Sequence, residues 1–268
     1  MVPLSPSSEA AAQYLAAARR SRRSGDRLPE SNRPQDSESA IAIQFRVSEL
    51  FGEPIGGWKA ASPTQDKISL GPIYASDIYT SSPCPVRPLK GSARIEPEVA
   101  FVLGKDFSPQ ATPYSESEIR SGIAETRLAL EVLGGRYADP DSVTFPEKLA
   151  DSLNNQALFI GPVVPNALDQ KLDAFPVTID GPGGLHVTRE GVHPSGHPLA
   201  PLYWLVNFLS ERGEGLKAGQ IVTAGSYCGV LELPLGAPLR VTFGTLGILS
   251  VELAGASQKA QAYVKEAK

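Results

Sequence analysis

Two cysteines, one methionine and three histidines among 268 residues leave little room for soft-ligand or thiol chemistry. Cys84 and Cys228 are too few for a disulfide framework or a thiolate cluster, and they suit a reducing compartment, so the cytoplasm is the expected location. His186, His193 and His197 fall in a Gly/Pro-rich stretch with no Gly-x-Ser-x-Gly elbow anywhere in the chain, which leaves a serine-hydrolase reading unsupported. His193 and His197 have the i, i+4 spacing of a zinc pair, but Pro194 and Gly196 between them oppose the helix such a pair needs. Neither Gly-x-Gly-x-x-Gly nor a P-loop pattern occurs, so no dinucleotide or nucleoside triphosphate site is visible. No apolar run approaches the ~20 residues of a membrane span. A net charge of −4 and a pI near 5.5 provide no basic field for nucleic acid. The Arg-rich stretch from Ala16 to Arg23 lacks the apolar region of a secretory signal; a surface helix accounts for it, with a transit peptide as the alternative.

What the sequence does contain is enough apolar residues, 41%, to bury a full core, in one large domain or two small ones. The most informative stretch is Arg94–Leu103. Its period-2 pattern places Ile95, Pro97, Val99, Phe101 and Leu103 on one face of a strand and Glu96 and Glu98 on the other. At a strand's rise the two glutamate Cα atoms stand roughly 6.5 Å apart. Their repulsion costs about 2–3 kcal/mol at an effective dielectric near 20, tolerable in water and poorly tolerated in a pocket without a counter-charge. Two readings follow: a solvated face whose glutamates meet Arg94 or Lys90, or a site for a divalent cation. Glu131, a lone carboxylate in the apolar run Leu128–Leu133, is the natural third partner, because a buried carboxylate must be paired or coordinated. A solvent-facing strand position is its alternative.

Around this strand, Ser8 caps a helix to about Arg22 that reads as peripheral, and Asp36 or Ser37 opens a second helix with Ala40, Ile43, Val47, Leu50 and Phe51 facing inward. From Gly56-Gly57-Trp58-Lys59 to Gly91 the chain is so punctuated by Pro, Ser and Gly that it reads as a wrapping loop carrying binding residues. Ser115-x-x-Glu118 is a capping box for a helix to about Thr126. A polar cluster from Asp151 to Gln156 precedes a short strand, Leu158–Ile160. Pro198 starts an amphipathic helix through Leu209. The remainder reads as strands, 220–224, 230–233 and a hairpin of 239–243 with 249–253, followed by a short charged helix at 257–268. The expected class is α+β, with a helical segment at 1–54 and a β-rich metal-binding domain at 55–268 that folds as one cooperative unit.

At these residues the chain resembles the fumarylacetoacetate hydrolase-like superfamily, and within it the 2-keto-4-pentenoate hydratases and related 4-oxalocrotonate decarboxylases. The resemblance runs from about Leu28 to Leu253. It is carried by Gly56-Gly57-Trp58-Lys59, the Glu96-x-Glu98 strand, Ala129-Leu130-Glu131-Val132 with Arg136, Ala150-Asp151 with Asn155, Leu216–Ser226, and Phe243-Gly244-Thr245-Leu246-Gly247. It implies a mixed-sheet fold like the C-terminal domain of fumarylacetoacetase, behind N-terminal helices, and a Mg²⁺ or Mn²⁺ ion, with Ca²⁺ possible, held by Glu96, Glu98 and Glu131. It further implies Lys59 as an acid/base or carboxylate-binding group and Gly225, Ser226 and Asn155 as substrate contacts. The pattern also departs from the family's: Lys59 is followed by Ala60-Ala61-Ser62-Pro63, and where a Pro-Asp-aromatic-Gly would stand the chain has Pro72-Ile73-Tyr74-Ala75. The family's acid/base aspartate is therefore missing there, and Asp77 is the substitute near enough in sequence.

An all-carboxylate donor set selects a hard cation with open positions for ligand oxygens. The implied substrate is a small 2-oxo or 2-hydroxydienoic acid and the implied reaction is metal-dependent hydration. Alternatives are a C–C hydrolase, a decarboxylase or a non-catalytic binder of oxo-acids. A homo-oligomer is expected.

Overall fold

The computed structural model describes residues 4–255, so the charged helix expected at 257–268 lies outside the described residues. Helix α1 (Pro6–Ser21) is capped by the Ser5 hydroxyl, and α2 (Ser37–Phe51) by a capping box on Asp36, with Gly52 closing it in the left-handed conformation. Strands β1 (Ile55–Ala61), β2 (Ser69–Tyr74), β3 (Ile78–Tyr79), β4 (Cys84–Val86) and β5 (Ala93–Leu103) follow. After them come α3 (Glu116–Ser121), β6 (Ile123–Leu133), α4 (Phe145–Ala150), β7 (Asn155–Val163), β8 (Ala174–Asp180) and β9 (His186–Val192). Helix α5 (Leu199–Glu211) precedes β10 (Ile221–Thr223), β11 (Leu231–Leu233), β12 (Pro238–Phe243) and β13 (Gly247–Gly255).

The class is α+β with mixed sheets. The larger sheet runs β2-β1-β10-β5-β6-β7-β3, with β11 on the early part of β5, and it contains parallel pairs β1–β10 and β3–β7 among antiparallel ones. The smaller runs β4-β13-β12-β8-β9. Ile95, Val99, Phe101, Leu128, Leu130 and Val132 point from the larger sheet into the main core, shared with the second sheet and the helices. The opposite face is also covered, because the sheet curls until a Cβ at Gly56 of β1 would stand 2.8 Å from Ile78 Cδ1 of β3. Inside that curl Ile73, Ala100, Ala129, Leu158 and Ile160 form a second, smaller core. Fully burying each of its Ile and Leu side chains contributes about 1.5–3 kcal/mol.

Three readings of the sequence are corrected. The stretch 56–91 is not a loop throughout: it contains β1 to β4, and Gly57 is required in β1 because a Cβ there would meet the Ile221 carbonyl oxygen at 2.4 Å. Of the three histidines read as lying in one Gly/Pro-rich stretch, His186 stands instead on β9 of the β8–β9 hairpin, whose Val177 and Ile179 are buried. Finally, α1 is not peripheral. Its Ala11, Ala12, Leu15 and Ala16 are fully buried against the main core, and Arg19 near its end is buried too. Among the described residues no helix is long and apolar enough to cross a membrane.

Candidate metal centre

Strands β5 and β6 pair antiparallel with Glu96 opposite Glu131 and Glu98 opposite Ala129. Directly opposed residues share a face, so the register brings Glu96, Glu98 and Glu131 together over the small core. One carboxylate oxygen from each lies within 4.8 Å of the others. Glu131 is wholly buried and Glu98 is 2% exposed, while Glu96 is partly exposed and marks the open side. On β1, Lys59 stands opposite Thr223 of β10, which stands opposite Ala100 of β5, so its side chain rises from the same face.

The Lys59 ammonium donates to Glu131 Oε1 at 2.6 Å and to the Leu153 carbonyl at 3.4 Å. Asn155 Nδ2 donates to the same Oε1 at 2.9 Å, and the Gly225 amide donates to Glu98 Oε2 at 3.0 Å. Gly225 has φ +112°, which only glycine adopts without strain. His193 fixes the preceding peptide: its Nε2 lies 2.9 Å from the Ala224 carbonyl oxygen, while its Nδ1 accepts from the Ser195 amide. Burial pulls the His193 pKa down to about 4, which keeps the ring neutral with Nε2–H as donor.

The charge balance is uneven. Three carboxylates against one ammonium leave a formal charge of −3 + 1 = −2. Burial, then repulsion from Glu131 and Glu96, raises the Glu98 carboxyl well above its ordinary value of 4.5. Burial raises Glu96 as well, against the pull of Lys59. For Lys59, burial favours the neutral amine, but Glu131 and Glu96 outweigh it and hold the pKa above the ordinary lysine value. Glu131 Oε2 is buried without a hydrogen-bond partner among the described residues. An orphaned carboxylate oxygen, an excess charge of −2 and an all-oxygen donor set together fit a hard divalent cation.

The sign of the Glu98 shift gives a testable pH dependence. A carboxylate whose pKa is higher in the folded than in the unfolded chain binds more protons when folded, so the metal-free protein loses stability as pH rises from about 4.5 through the raised folded value. Glu98→Gln, which carries no charge, is therefore expected to match the parent near pH 4.5 and to melt at a higher temperature above it, by a margin that grows with pH. Thermal denaturation in chelator across pH 4.5–8 measures this, and a margin that shrinks with pH would contradict the assigned sign.

The other sequence-derived residues are distributed unevenly. The Asn155 amide and the Gly225 N–H are engaged by Glu131 and Glu98, and the Ser226 hydroxyl donates to the Gly229 carbonyl at 3.0 Å. Asp77 ends a short 3₁₀ turn before β3 and pairs with Arg22 at 3.6 Å, making no hydrogen bond to Lys59 or the three glutamates. His193 and His197 are loop histidines, the latter accepting from the Leu199 amide through Nδ1. Sequence reasoning passed over Thr223, fully buried opposite Lys59 with an unpartnered hydroxyl, although a lone hydroxyl beside Val222 in a short strand was a usable signal. The polar cluster at 151–156, whose amides could either orient a ligand or close a turn, does form a turn at Ser152–Asn154, where three consecutive non-glycine residues have φ of +54°, +51° and +62°. The left-handed conformation costs roughly 1–2 kcal/mol per such residue.

No protein-family model matches the chain. It is 28% identical over 232 residues to a 2-keto-4-pentenoate hydratase from Paraburkholderia phymatum, covering 81% of this chain and 86% of that protein. It is 25% identical over 162 residues to a 4-oxalocrotonate decarboxylase from Pseudomonas sp, of which the match spans 61%. Among solved structures, the 4-oxalocrotonate decarboxylase from Pseudomonas putida G7, complexed with magnesium and adipate, superposes with a TM-score of 0.75 at 19% identity, covering 92% of this chain and 97% of that one. A yeast fumarylacetoacetate hydrolase family protein superposes at 0.50 with 16% identity, over 75% of this chain and 92% of that one. The chain has the fumarylacetoacetate hydrolase-like fold.

Proposed function

We propose that the chain is a divalent-metal-dependent hydro-lyase that adds water to a 2-hydroxy-2,4-dienoate to give a 4-hydroxy-2-oxo acid. The observation that carries the reading is the Glu96/Glu98/Glu131 cluster, buried at Glu98 and Glu131 and open at Glu96, with the Lys59 ammonium 2.6 Å from Glu131, in a chain similar to 2-keto-4-pentenoate hydratases. A bound Mg²⁺ or Mn²⁺ ion supplies Lewis-acid stabilisation for negative charge on the substrate's carboxylate and 2-oxygen. The three glutamates would hold it, with Asn155 and the Gly225 amide fixing the orientation of two of them.

Lys59 is protonated at neutral pH, which makes Nζ a proton donor and a partner for the substrate carboxylate rather than a resting base. Protonation of the dienol at its terminal carbon, with loss of the enol proton, gives an unsaturated 2-oxo acid, to which water then adds at C4. The buried floor of Ala100, Ala129 and Leu158 would exclude bulk water from beneath the diene.

Loss of the ultraviolet absorbance of a panel of 2-hydroxydienoic acids, with and without Mn²⁺, tests the reading; absence of metal-dependent loss for every member would overturn it. Similarity to the decarboxylase supports a second outcome, CO₂ release from a dienedioate, which the same panel detects. C–C hydrolysis by a catalytic histidine is less well supported, since His193 and His197 are both engaged by backbone groups of their own loops.

A further inference from the structure

The strained turn Ser152–Asn154 has two outputs. The Leu153 carbonyl accepts from the Lys59 ammonium, and the chain immediately after the turn presents the Asn155 amide to Glu131 Oε1. Three successive left-handed residues other than glycine persist only where their surroundings leave no alternative. The restraint comes from two guanidinium groups. Arg136 bonds both carboxylate oxygens of Asp151 through its backbone N–H and Nε, the Asp151 carbonyl through Nη2 at 2.7 Å, and the Asn155 carbonyl through Nη1 at 2.6 Å, bracketing the turn. Arg19 arrives from the last turn of α1, about 130 residues earlier in the chain. Its Nη2 donates to the Ser152 hydroxyl at 2.9 Å and to the Asp151 carbonyl at 3.3 Å, and its guanidinium lies over the Tyr74 ring. On the remaining side β2 leaves room for the turn only through Gly71, where a Cβ would stand 3.0 Å from Ser152 Cα.

We infer that Arg19 is a positioning residue of the metal centre: by clamping the left-handed turn it holds the Leu153 carbonyl against Lys59 and the Asn155 amide against Glu131. The N-terminal helix is thereby part of the site's support rather than a covering element. The inference rests on the metal–lysine reading of the site above, but its readouts need no substrate.

The experiment compares the full chain with Arg19→Met, Arg19→Lys and Ser152→Ala by Mn²⁺ titration and amide hydrogen exchange. Removing an outer partner of a metal ligand typically weakens binding by about 10–100-fold. Arg19→Met is expected to weaken Mn²⁺ binding by about tenfold and to speed exchange of the Gly134 amide, which bonds the Asn154 carbonyl at 2.8 Å, while amides of β6 between Leu128 and Val132 keep their protection. Arg19→Lys, which retains a donor and the charge, should recover part of both effects. Parental Mn²⁺ affinity in folded Arg19→Met, or a uniform rise in exchange across β5 and β6, would overturn the inference, since either is what a merely structural residue gives. If Arg19→Met does not fold, Ser152→Ala decides: it removes only the hydroxyl Arg19 reaches, and unchanged affinity and unchanged Gly134 exchange would overturn the inference. A parent that hydrates no dienoate while Arg19→Met still weakens Mn²⁺ binding would sink the hydratase reading and leave this one standing.

Discussion

Lys59→Ala is expected to lower kcat/KM for the dienoate by about 10²–10⁴-fold, the usual loss when a positioned proton donor is removed. Mn²⁺ affinity should be retained or should rise. Lys59 Nζ occupies one oxygen of Glu131, with 13% of its side chain exposed, and in the metal-free protein it is the cation that offsets the three carboxylates. Deleting it raises the repulsion that an incoming divalent ion relieves, while leaving every candidate ligand oxygen in place. Asp77→Asn, alone or combined with Lys59→Ala, should add almost nothing, because that carboxylate faces Arg22 and not the glutamates. Mn²⁺ titration alongside dienoate turnover separates the two effects. Near-parental turnover of every dienoate would remove the hydratase assignment in favour of a binding protein.

Glu131→Gln is expected to have the largest effect on metal binding. The two glutamates of β5 stand on one strand, and only Glu131 closes the cluster from the neighbouring strand, fully buried and with one oxygen unpartnered. The amide removes the charge and replaces an acceptor oxygen with a donor or an unmatched neutral one. Since loss of an outer partner alone costs about 10–100-fold, loss of this carboxylate should weaken Mn²⁺ by at least about 100-fold. For the parent, metal at 100 times its dissociation constant stabilises the fold by about 2.7 kcal/mol through mass action, seen as a rise in Tm. In Glu131→Gln at the same concentration a 100-fold weaker site leaves at most about 0.4 kcal/mol of that stabilisation, so most of the rise should be lost. A Tm rise equal to the parent's would show that the three glutamates are not the ligands.

Much of the centre was legible because it depends on local period and on charge. Alternation around Glu96 and Glu98 sets which face each side chain takes, and a carboxylate inside Leu128–Leu133 demanded a partner; neither argument needs distant contacts. Amphipathic period and capping boxes likewise revealed α2 and the start of α3. The capping box did not show where α3 stops: it ends after six residues because Ile123 onward is drawn into β6, where pairing with β5 outweighs local helix preference.

What only the tertiary structure decided is everything that joins distant segments. β1 is a strand despite Gly56-Gly57 because β10, some 160 residues later, needs a neighbour with no side chain at Gly57. Asp77 is close to Lys59 in sequence, yet the turn before β3 directs it to Arg22. Arg19 sits in a helix whose sequence, rich in alanine and arginine, reads as a surface element, and it is buried only because Ser152 and Asp151 meet it there. Periodicity reports a residue's own face, whereas burial of a charge depends on which group from the rest of the chain satisfies it, and that pairing is written in the fold alone.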